Sequence, residues 1–261
     1  MPDDPRLLVL AAHPDDETIG AGGLLGRASP EAVIHVTDGA PRDLAWAPAA
    51  NGDRHRYAQA RRRELEAAMT LAGVPAERLV SLGMIDQEAV LALPALAEKL
   101  AEIFVDLAPD RVLTLAYEGG HPDHDATAFA AHAAAELLRR RGREGPELWE
   151  MALYHAGNGR MMIAEFLLGE EREVVLSLSL AEAERKRRMI DAFVTQQETL
   201  RPFLPPRPER LRRAPAYRFT EPPHPGLLQY EIWGFPMDGA AWRGHARAAL
   251  HALGLPEGSA F

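Results

Sequence analysis

The stretch AAHPDDETIG, residues 11–20, indicates how this chain folds. It follows an apolar run, Leu7–Leu10, and leads into small and apolar residues, which predicts a buried strand, a sharp polar turn and the start of a helix. A histidine and three consecutive acids in such a turn repel each other and add nothing to a core. A divalent cation would remove that conflict, so we interpret the turn as half of a catalytic metal site.

The sequence HPDH, residues 121–124, supplies the other half of this hypothesis. It follows the fourth predicted strand, Asp110–Leu115, and opens a predicted helix. Ligands of open parallel sheets bind beyond the carboxyl ends of the strands. We therefore expect the turns after the first and fourth strands to lie side by side.

The two turns together contain the residues of an open metal site. His13 and Asp16 are three residues apart in a turn that enters a helix, so both can face one point, and His124 is the expected third ligand. Two imidazoles and one carboxylate leave a coordination position for water, as in catalytic zinc sites. A cation there lowers the pKa of water and polarises a carbonyl group. Ferrous iron or another divalent metal also suits these donors.

The remaining residues of the turns suit the hydrolysis of an amide. Asp15 is the expected general base beside the water, and His121 the expected general acid that protonates a leaving amine. We expect Asp123 to hydrogen-bond His121 and to favour its protonated form. The first turn alone would be explained by helix capping and by the helix dipole, and the second alone as a polar turn; Glu17 is assigned a structural role at the start of the helix. Two such clusters at strand ends favour the catalytic interpretation.

Composition narrows the classes of protein that the chain can represent. It has 261 residues, 47% hydrophobic, and a net charge of −9. That length and composition suit one large α/β domain, and the negative charge makes nucleic acid an unexpected partner. There is no cysteine, so a metal site must use histidine and carboxylates. No apolar run reaches the roughly 18–20 residues of a membrane span, and acids stand where a signal peptide carries positive charge, so we expect a cytoplasmic protein.

Strand and helix patterns alternate along the first 200 residues, which predicts an α/β fold with a mostly parallel sheet and helices on both faces. The predicted strands are Arg6–Ala12, Ala32–Thr37, Arg78–Leu82, Asp110–Leu115, Trp149–His155 and Glu173–Leu180. The predicted helices are Thr18–Ala28, Tyr57–Ala72, Leu93–Leu107, Ala126–Arg140 and Ala181–Thr195. The glycines of the first helix predict a close approach to a strand or a loop.

The C-terminal part has a different pattern. Eight prolines between residues 201 and 225 predict an irregular extension, with a late strand at Tyr230–Trp233 and a terminal helix at Ala240–Leu253. We therefore divide the chain into a catalytic domain, residues 1–200, and a Pro-rich extension, residues 201–261, packed on the same domain. The extension is expected to cover the site or to serve a homo-oligomer.

The paired motifs resemble those of the PIG-L/LmbE-like zinc deacetylases, over roughly residues 6–200. This resemblance implies a Rossmann-like α/β fold, a zinc cofactor and the removal of an N-acetyl or other N-acyl group from a glucosamine derivative. It implies the roles given above for the metal ligands and the catalytic residues. It also implies a substrate-binding arginine and aspartate, for which we select Arg61, with its neighbour Arg62 as the alternative, and Asp86. We add Glu118 because it precedes a glycine pair beside the predicted site.

One position departs from the family pattern. Some members carry a tyrosine two residues before the second-turn histidine, where it helps to hold the substrate oxyanion, and here that position is Gly119. Tyr117 is out of register with it. The leading hypothesis is a zinc-dependent N-deacetylase of an amino sugar conjugate. The alternatives are an amidohydrolase for a longer acyl group or a non-sugar amide, and a non-catalytic metal-binding or small-ligand-binding module.

Overall fold

A computed structural model describes residues 5–257 and 260–261 of the chain. The strands are β1 (Leu7–Ala11), β2 (Ala32–Pro41), β3 (Leu79–Asp86), β4 (Arg111–Leu115), β5 (Glu147–Met151), β6 (Tyr154–Gly157), β7 (Arg160–Ile163), β8 (Glu173–Leu176) and β9 (Glu209–Arg213). The α-helices are α1 (Asp16–Leu25), α2 (Arg54–Ala72), α3 (Leu93–Leu107), α4 (Pro122–Arg140), α5 (Leu180–Asp191), α6 (Gln197–Leu200), α7 (Gln229–Ile232) and α8 (Gly239–Ala252).

The central sheet has seven strands in the order β3-β2-β1-β4-β5-β9-β8. The first five of these run parallel, and β9 and β8 are antiparallel additions at one edge. Helices α1, α2 and α5 pack together beside one apolar cluster, and α3, α4 and α8 pack beside the other. The predicted α/β class, with a mostly parallel sheet and helices on both faces, is confirmed.

The sheet order brings the two histidine turns together. Strand β1 pairs in parallel with β4, with Leu8 opposite Val112, so both strands end at the same edge. Helix α1 begins directly after the first turn, and α4 begins inside the second. This is the position between oppositely directed crossovers where open α/β sheets bind ligands. The expected juxtaposition of the two turns is confirmed.

The glycines of α1 allow close packing against the sheet. A Cβ atom on Gly20 would lie 2.7 Å from Leu153 Cδ2 and from Met151 Sδ. The helix is also broken at Ala21 (φ −143°), and the buried carboxylate of Glu209 in β9 accepts hydrogen bonds from the backbone N–H groups of Gly23 and Leu24 at 2.6 and 2.9 Å. The predicted close approach is confirmed, and it also involves a strand from the C-terminal extension.

Two predictions about the second half of the chain need correction. The strand expected at Trp149–His155 ends at Met151, and the chain then leaves the sheet to form the β6–β7 hairpin, because β9 occupies the edge beside β5. The late strand expected at Tyr230–Trp233 is instead the helical turn α7. Its Glu231 side chain accepts a hydrogen bond from the Leu228 N–H at 2.7 Å, which stabilises the start of the turn.

None of the helices in the described part of the chain is long and apolar enough to cross a membrane.

Candidate metal centre

The first turn is held in an unusual backbone conformation. Asp15 has a φ of 129°, a region that residues other than glycine rarely adopt, and this rotates its side chain out of the helix that follows. The carboxylate of Glu17 accepts hydrogen bonds from the Asp15 N–H at 3.0 Å and from the Thr18 hydroxyl at 2.6 Å. His35 Nε2 lies 2.9 Å from the same carboxylate. Glu17 therefore holds the backbone of the first turn through these contacts.

The second turn is fixed by buried groups on both sides. The Asp125 carboxylate accepts hydrogen bonds from the backbone N–H groups of Glu118 and Gly119, at 3.3 and 3.0 Å. On the far side, Trp242 Nε1 of α8 donates a hydrogen bond to the Pro122 carbonyl at 3.0 Å. The C-terminal helix thus helps to position the start of α4, which carries the predicted ligand.

Asp16 lies between the two predicted histidine ligands, and each of its carboxylate oxygens faces one of them. His13 Nδ1 lies 3.3 Å from Asp16 Oδ2, and His124 Nε2 lies 3.1 Å from Asp16 Oδ1. The geometry at His124 Nε2 is not that of a hydrogen bond, and this buried atom has no hydrogen-bond partner in the described residues. An imidazole nitrogen and a carboxylate oxygen arranged in this way suit joint coordination of a cation.

The other nitrogen of His13 faces two further carboxylates. His13 Nε2 lies 3.2 Å from Asp123 Oδ2 and 3.1 Å from Asp86 Oδ1. Asp123 also accepts hydrogen bonds from the N–H groups of Gln87 and Ala89, at 2.6 and 3.1 Å. Metal-binding histidines commonly donate their second N–H to a carboxylate in this way. That arrangement leaves the Nδ1 lone pair of His13 on the side of Asp16.

The expected contact between the Asp123 carboxylate and His121 is not present. His121 Nδ1 instead accepts a hydrogen bond from the backbone N–H of Asp123 at 3.2 Å, because His121 caps the start of α4. This bond assigns the proton of a neutral His121 to Nε2. Burial lowers the pKa of His121 well below its ordinary value, and the charge of His13 acts in the same direction, so the expected support for the protonated form is absent as well.

Two overlapping groups of side chains bring their ligand atoms close enough for a metal ion. One comprises His13, His121 and His124, and the other comprises His13, Asp86, His121 and Asp123; within each, the atoms lie within 4.8 Å of one another. The residues fit a cation on chemical grounds. Among the described residues that line this cavity, Arg61 is the one permanent positive charge, beside the three carboxylates of Asp15, Asp16 and Asp86. A divalent ion would balance that excess of buried negative charge.

The carboxylates have strongly perturbed environments. Burial raises the pKa of Asp15 to about 8, although the charge of Arg61 opposes this shift. Burial also acts to raise the pKa of Asp86, but the nearby charges, first that of His13, oppose it and the pKa is lowered. Neighbouring carboxylates with opposite shifts are a feature of functional sites.

Arg61 and Asp86, the two residues expected to bind a sugar, both line this cavity. Arg61 Nη2 donates hydrogen bonds to Asp15 Oδ2 at 3.0 Å and to the Pro14 carbonyl, and Nη1 donates to the Gly39 carbonyl at 3.0 Å. The guanidinium thus holds the Asp15 carboxylate and the strained turn. Asp86 lies at the end of β3, with Oδ1 3.9 Å from His121 Nε2.

Glu118 is not brought together with these residues. Its buried carboxylate accepts a hydrogen bond from the Leu167 N–H at 2.6 Å and lies 3.6 Å from Arg212 Nη2. Arg212 also donates to Glu150 at 2.9 Å, so Glu118 belongs to a separate buried ionic cluster. The turn that carries Glu118, residues 117–120, is buried throughout.

Several residues lining the cavity were missed by the sequence analysis. Tyr154 of β6 lies against His124 with the ring centroids 5.1 Å apart, and it comes from the hairpin that the sequence pattern had merged into β5. The other missed residues are Trp46, Gln196, Phe203, Trp233 and Phe235. A tyrosine close to the carboxyl end of a predicted strand was a usable signal; the other five stand in irregular or short segments without such a signal.

Close packing explains why position 119 is glycine. Gly119 has a φ of +69°, and a Cβ atom there would lie 2.6 Å from Leu228 Cδ2. A Cβ atom on Gly120 would collide with the Tyr154 carbonyl. The glycine pair therefore excludes a side chain at the position where some relatives of the resembled family have tyrosine, and it allows Tyr154 to pack beside the second turn.

Comparison with known proteins agrees with this geometry. The sequence pattern of the family described as PIG-L, GlcNAc-PI de-N-acetylase, matches residues 8–135. The 1D-myo-inositol 2-acetamido-2-deoxy-alpha-D-glucopyranoside deacetylase of Corynebacterium glutamicum strain R is 30% identical over 152 residues, which are 50% of this chain and 52% of that protein. The corresponding protein of Rhodococcus erythropolis is 30% identical over 175 residues, 58% and 60% of the two chains. The chain thus spans about half the length of the curated relatives it matches.

Solved structures share the fold. A deacetylase of the teicoplanin biosynthesis pathway superposes with a TM-score of 0.58 at 20% identity, over 79% of this chain and 96% of that one. The N,N'-diacetylchitobiose deacetylase of Pyrococcus horikoshii gives a TM-score of 0.53 at 22% identity, over 77% and 76% of the chains. At these identities the likeness concerns the fold alone. The family match covers both histidine turns, and over residues 8–135 the chain carries the sequence pattern of the PIG-L family.

Proposed function

We propose that this chain is a metal-dependent hydrolase that removes an N-acyl group, in the simplest case N-acetyl, from an amino sugar conjugate. The observation that carries the proposal is the position of Asp15 and His121 in one cavity with His13, Asp16 and the neighbouring His124. A module that only binds a metal needs neither a base nor an acid beside it. The relatives named as deacetylases of a 2-acetamido sugar support the choice of substrate.

We assign the metal ligands to His13, Asp16 and His124. The unpartnered Nε2 of His124 supports this choice, as does the engagement of His13 Nε2 with carboxylates, which leaves Nδ1 free. A bound divalent cation, zinc in our proposal, supplies Lewis acidity that acidifies water and polarises the carbonyl of the amide. In this assignment Asp123 is a positioning residue for His13.

The remaining groups move protons and hold the substrate. Asp15 takes a proton from the attacking water, and Arg61 keeps its carboxylate in place through the 3.0 Å hydrogen bond. In its cationic form His121 donates the Nε2 proton to the leaving amine, and the proton that Asp15 took from the water then restores it. Asp86 accepts a hydrogen bond from a sugar hydroxyl or from His121. The Tyr154 hydroxyl donates a hydrogen bond to the developing oxyanion, in place of the tyrosine that Gly119 excludes.

The phenylalanine variant of Tyr154 tests the last of these roles. For Tyr154→Phe we expect kcat to fall about 10²-fold, the usual cost of removing one oxyanion donor, with KM and metal content unchanged. Tyr117→Phe is the matched control, because that hydroxyl donates to the Glu221 carbonyl at 2.9 Å and does not line the cavity. Equal kcat values for the two variants would contradict the role of Tyr154.

Metal removal tests the proposed function as a whole. After dialysis against a chelator, we expect release of acetate from N-acetylglucosamine conjugates to fall to background and to return on addition of one equivalent of zinc. Mass spectrometry of the metal content gives the stoichiometry. Acetate release that persists in metal-free protein would refute the proposal, whereas restoration by ferrous iron rather than zinc would correct only the choice of metal.

A further inference from the structure

The cavity over the metal centre has two chemically different parts. It has a volume of about 460 Å³, within the roughly 300–1,000 Å³ of pockets that enclose drug-sized ligands, and more than one hexosamine ring fills. Its floor carries the histidines and carboxylates described above. We call the remaining side the aromatic wall, formed by Trp46, Tyr154, Phe203, Trp233 and Phe235.

The aromatic wall is continuous. The rings of Trp46 and Phe235 meet edge to face with their centroids 4.4 Å apart, and Phe235 lies 5.9 Å from Trp233. The ring centroid of Tyr154 lies 5.6 Å from that of Trp233 and 5.8 Å from that of Phe203. These are the separations at which aromatic rings attract each other, so the wall is a packed surface and not a set of isolated side chains.

The wall begins at the catalytic groups and ends in solvent. Phe235 packs against His121 with ring centroids 5.1 Å apart, which joins the wall to the floor. At the mouth, Trp46 is 38% and Trp233 is 40% exposed. Tryptophan side chains left partly open at the mouth of a cavity commonly mark a binding surface for an apolar or ring-shaped group.

The charges of the cavity argue against an anionic ligand. The one cationic side chain that lines it, in the described part of the chain, is Arg61, which is engaged by Asp15 and by two backbone carbonyls. Phosphate and carboxylate sites ordinarily offer free arginine or lysine donors. Here the nearest carboxylates, Asp15 and Asp86, would repel an anionic ligand.

We propose that the substrate of this site is a neutral amino sugar conjugate with an apolar ring or chain on the sugar, and that the aromatic wall binds this apolar part. The inference rests on the proposed function, because the floor is taken to bind the N-acyl sugar. The apolar part would lie between Trp46 and Trp233 at the mouth, with the sugar below it and the amide beside His121 and Asp15.

Three compounds with the same N-acetylglucosamine unit test the inference: the free sugar, its phenyl β-glycoside and its 1-phosphate. With the zinc-loaded protein we expect kcat/KM for the phenyl glycoside to exceed that for the free sugar at least tenfold, mostly through KM. The 1-phosphate should be hydrolysed more slowly than the free sugar. Equal kcat/KM for the free sugar and the phenyl glycoside would overturn the inference and leave the proposed function standing.

Two variants test whether the aromatic wall causes the preference for the phenyl glycoside. Trp233→Ala should reduce the preference for the phenyl glycoside about tenfold or more. Its neighbour Ile232→Ala is the control, because Ile232 is 56% exposed but lines a different cavity, so the preference should persist. Equal preferences in the two variants would refute a role of Trp233 in binding the apolar part.

A binding measurement separates failure of the inference from failure of the proposed function. Phenyl β-glucosaminide, the amine that hydrolysis would release, is titrated against the protein by calorimetry, with glucosamine as the comparison. Tighter binding of the phenyl compound, lost in Trp233→Ala, supports the aromatic wall even if none of the acetylated compounds is hydrolysed. Equal affinity of the two amines overturns the inference, whatever the activity.

Discussion

Replacing Asp15 with asparagine is expected to lower kcat by about 10²–10⁴-fold, the usual contribution of a general base, without removing the metal. Asparagine has nearly the same shape as aspartate and is among the residues that best tolerate a positive φ, so the φ of 129° can be kept. Its amide oxygen can still accept the hydrogen bond from Arg61. The variant therefore loses the base and little of the structure.

Asp38→Asn is the matched control for this experiment. Asp38 lies near the carboxyl end of the neighbouring strand, β2, and accepts hydrogen bonds from Arg54 Nη2 at 2.9 and 2.6 Å, but it does not line the cavity. We expect its kcat to stay within about twofold of the original. Metal content and far-ultraviolet circular dichroism are measured for both variants. An Asp15→Asn protein with bound metal and full activity would show that another group is the base.

Removal of either second-turn histidine should abolish activity, but for different reasons. His124→Ala removes a proposed ligand, so its metal affinity should fall by more than the roughly 10–100-fold that follows loss of a contact that only orients a ligand. His121→Ala removes the proposed acid and should keep its metal while kcat falls about 10²–10⁴-fold. Metal content after dialysis and acetate release are measured on the same samples.

This pair of variants also tests the proposed ligands, His13, Asp16 and His124, against the second group of donor atoms. If the metal binds through His13, Asp86, His121 and Asp123, the results are reversed: His121→Ala loses the metal and His124→Ala retains it. The original protein, carried through the same dialysis, fixes the reference stoichiometry. Retention of metal in both single variants would contradict either ligand assignment.

The parts of the fold nearest the two motifs were predictable from the sequence. The apolar run Leu7–Leu10 has no polar residue that could face solvent, and this predicted a strand covered on both sides. In the structure helices of both layers bury it, apart from the partly exposed Leu7. The pairing of β1 with β4 followed from the parallel pattern and brought His13 close to His124. Local periodicity and the rules for parallel sheets were sufficient for this step.

The features of the structure that the sequence did not predict depend on contacts between distant segments of the chain. Strand β9 takes the edge beside β5, and the residues that follow β5 therefore leave the sheet and present Tyr154 to the site. No local sequence pattern predicts that β9 joins the sheet, since Glu209–Arg213 is rich in charged residues and follows several prolines. The predicted contact between the Asp123 carboxylate and His121 was wrong for a related reason. His121 caps the start of α4, so its ring contacts the backbone N–H of Asp123 instead.

The order of assembly follows from the position of the aromatic wall in the chain. The proposed metal ligands all lie between residues 13 and 124, whereas three of the five wall residues lie between 203 and 235. At a synthesis rate of about 5–20 residues per second, roughly 5–20 s separate the appearance of His124 from that of Phe235. During that interval the C-terminal part of the wall is incomplete, so Trp233 and Phe235 do not yet limit access to the ligands. A cation can therefore be captured on the ribosome-bound chain before the last segments narrow its path of entry.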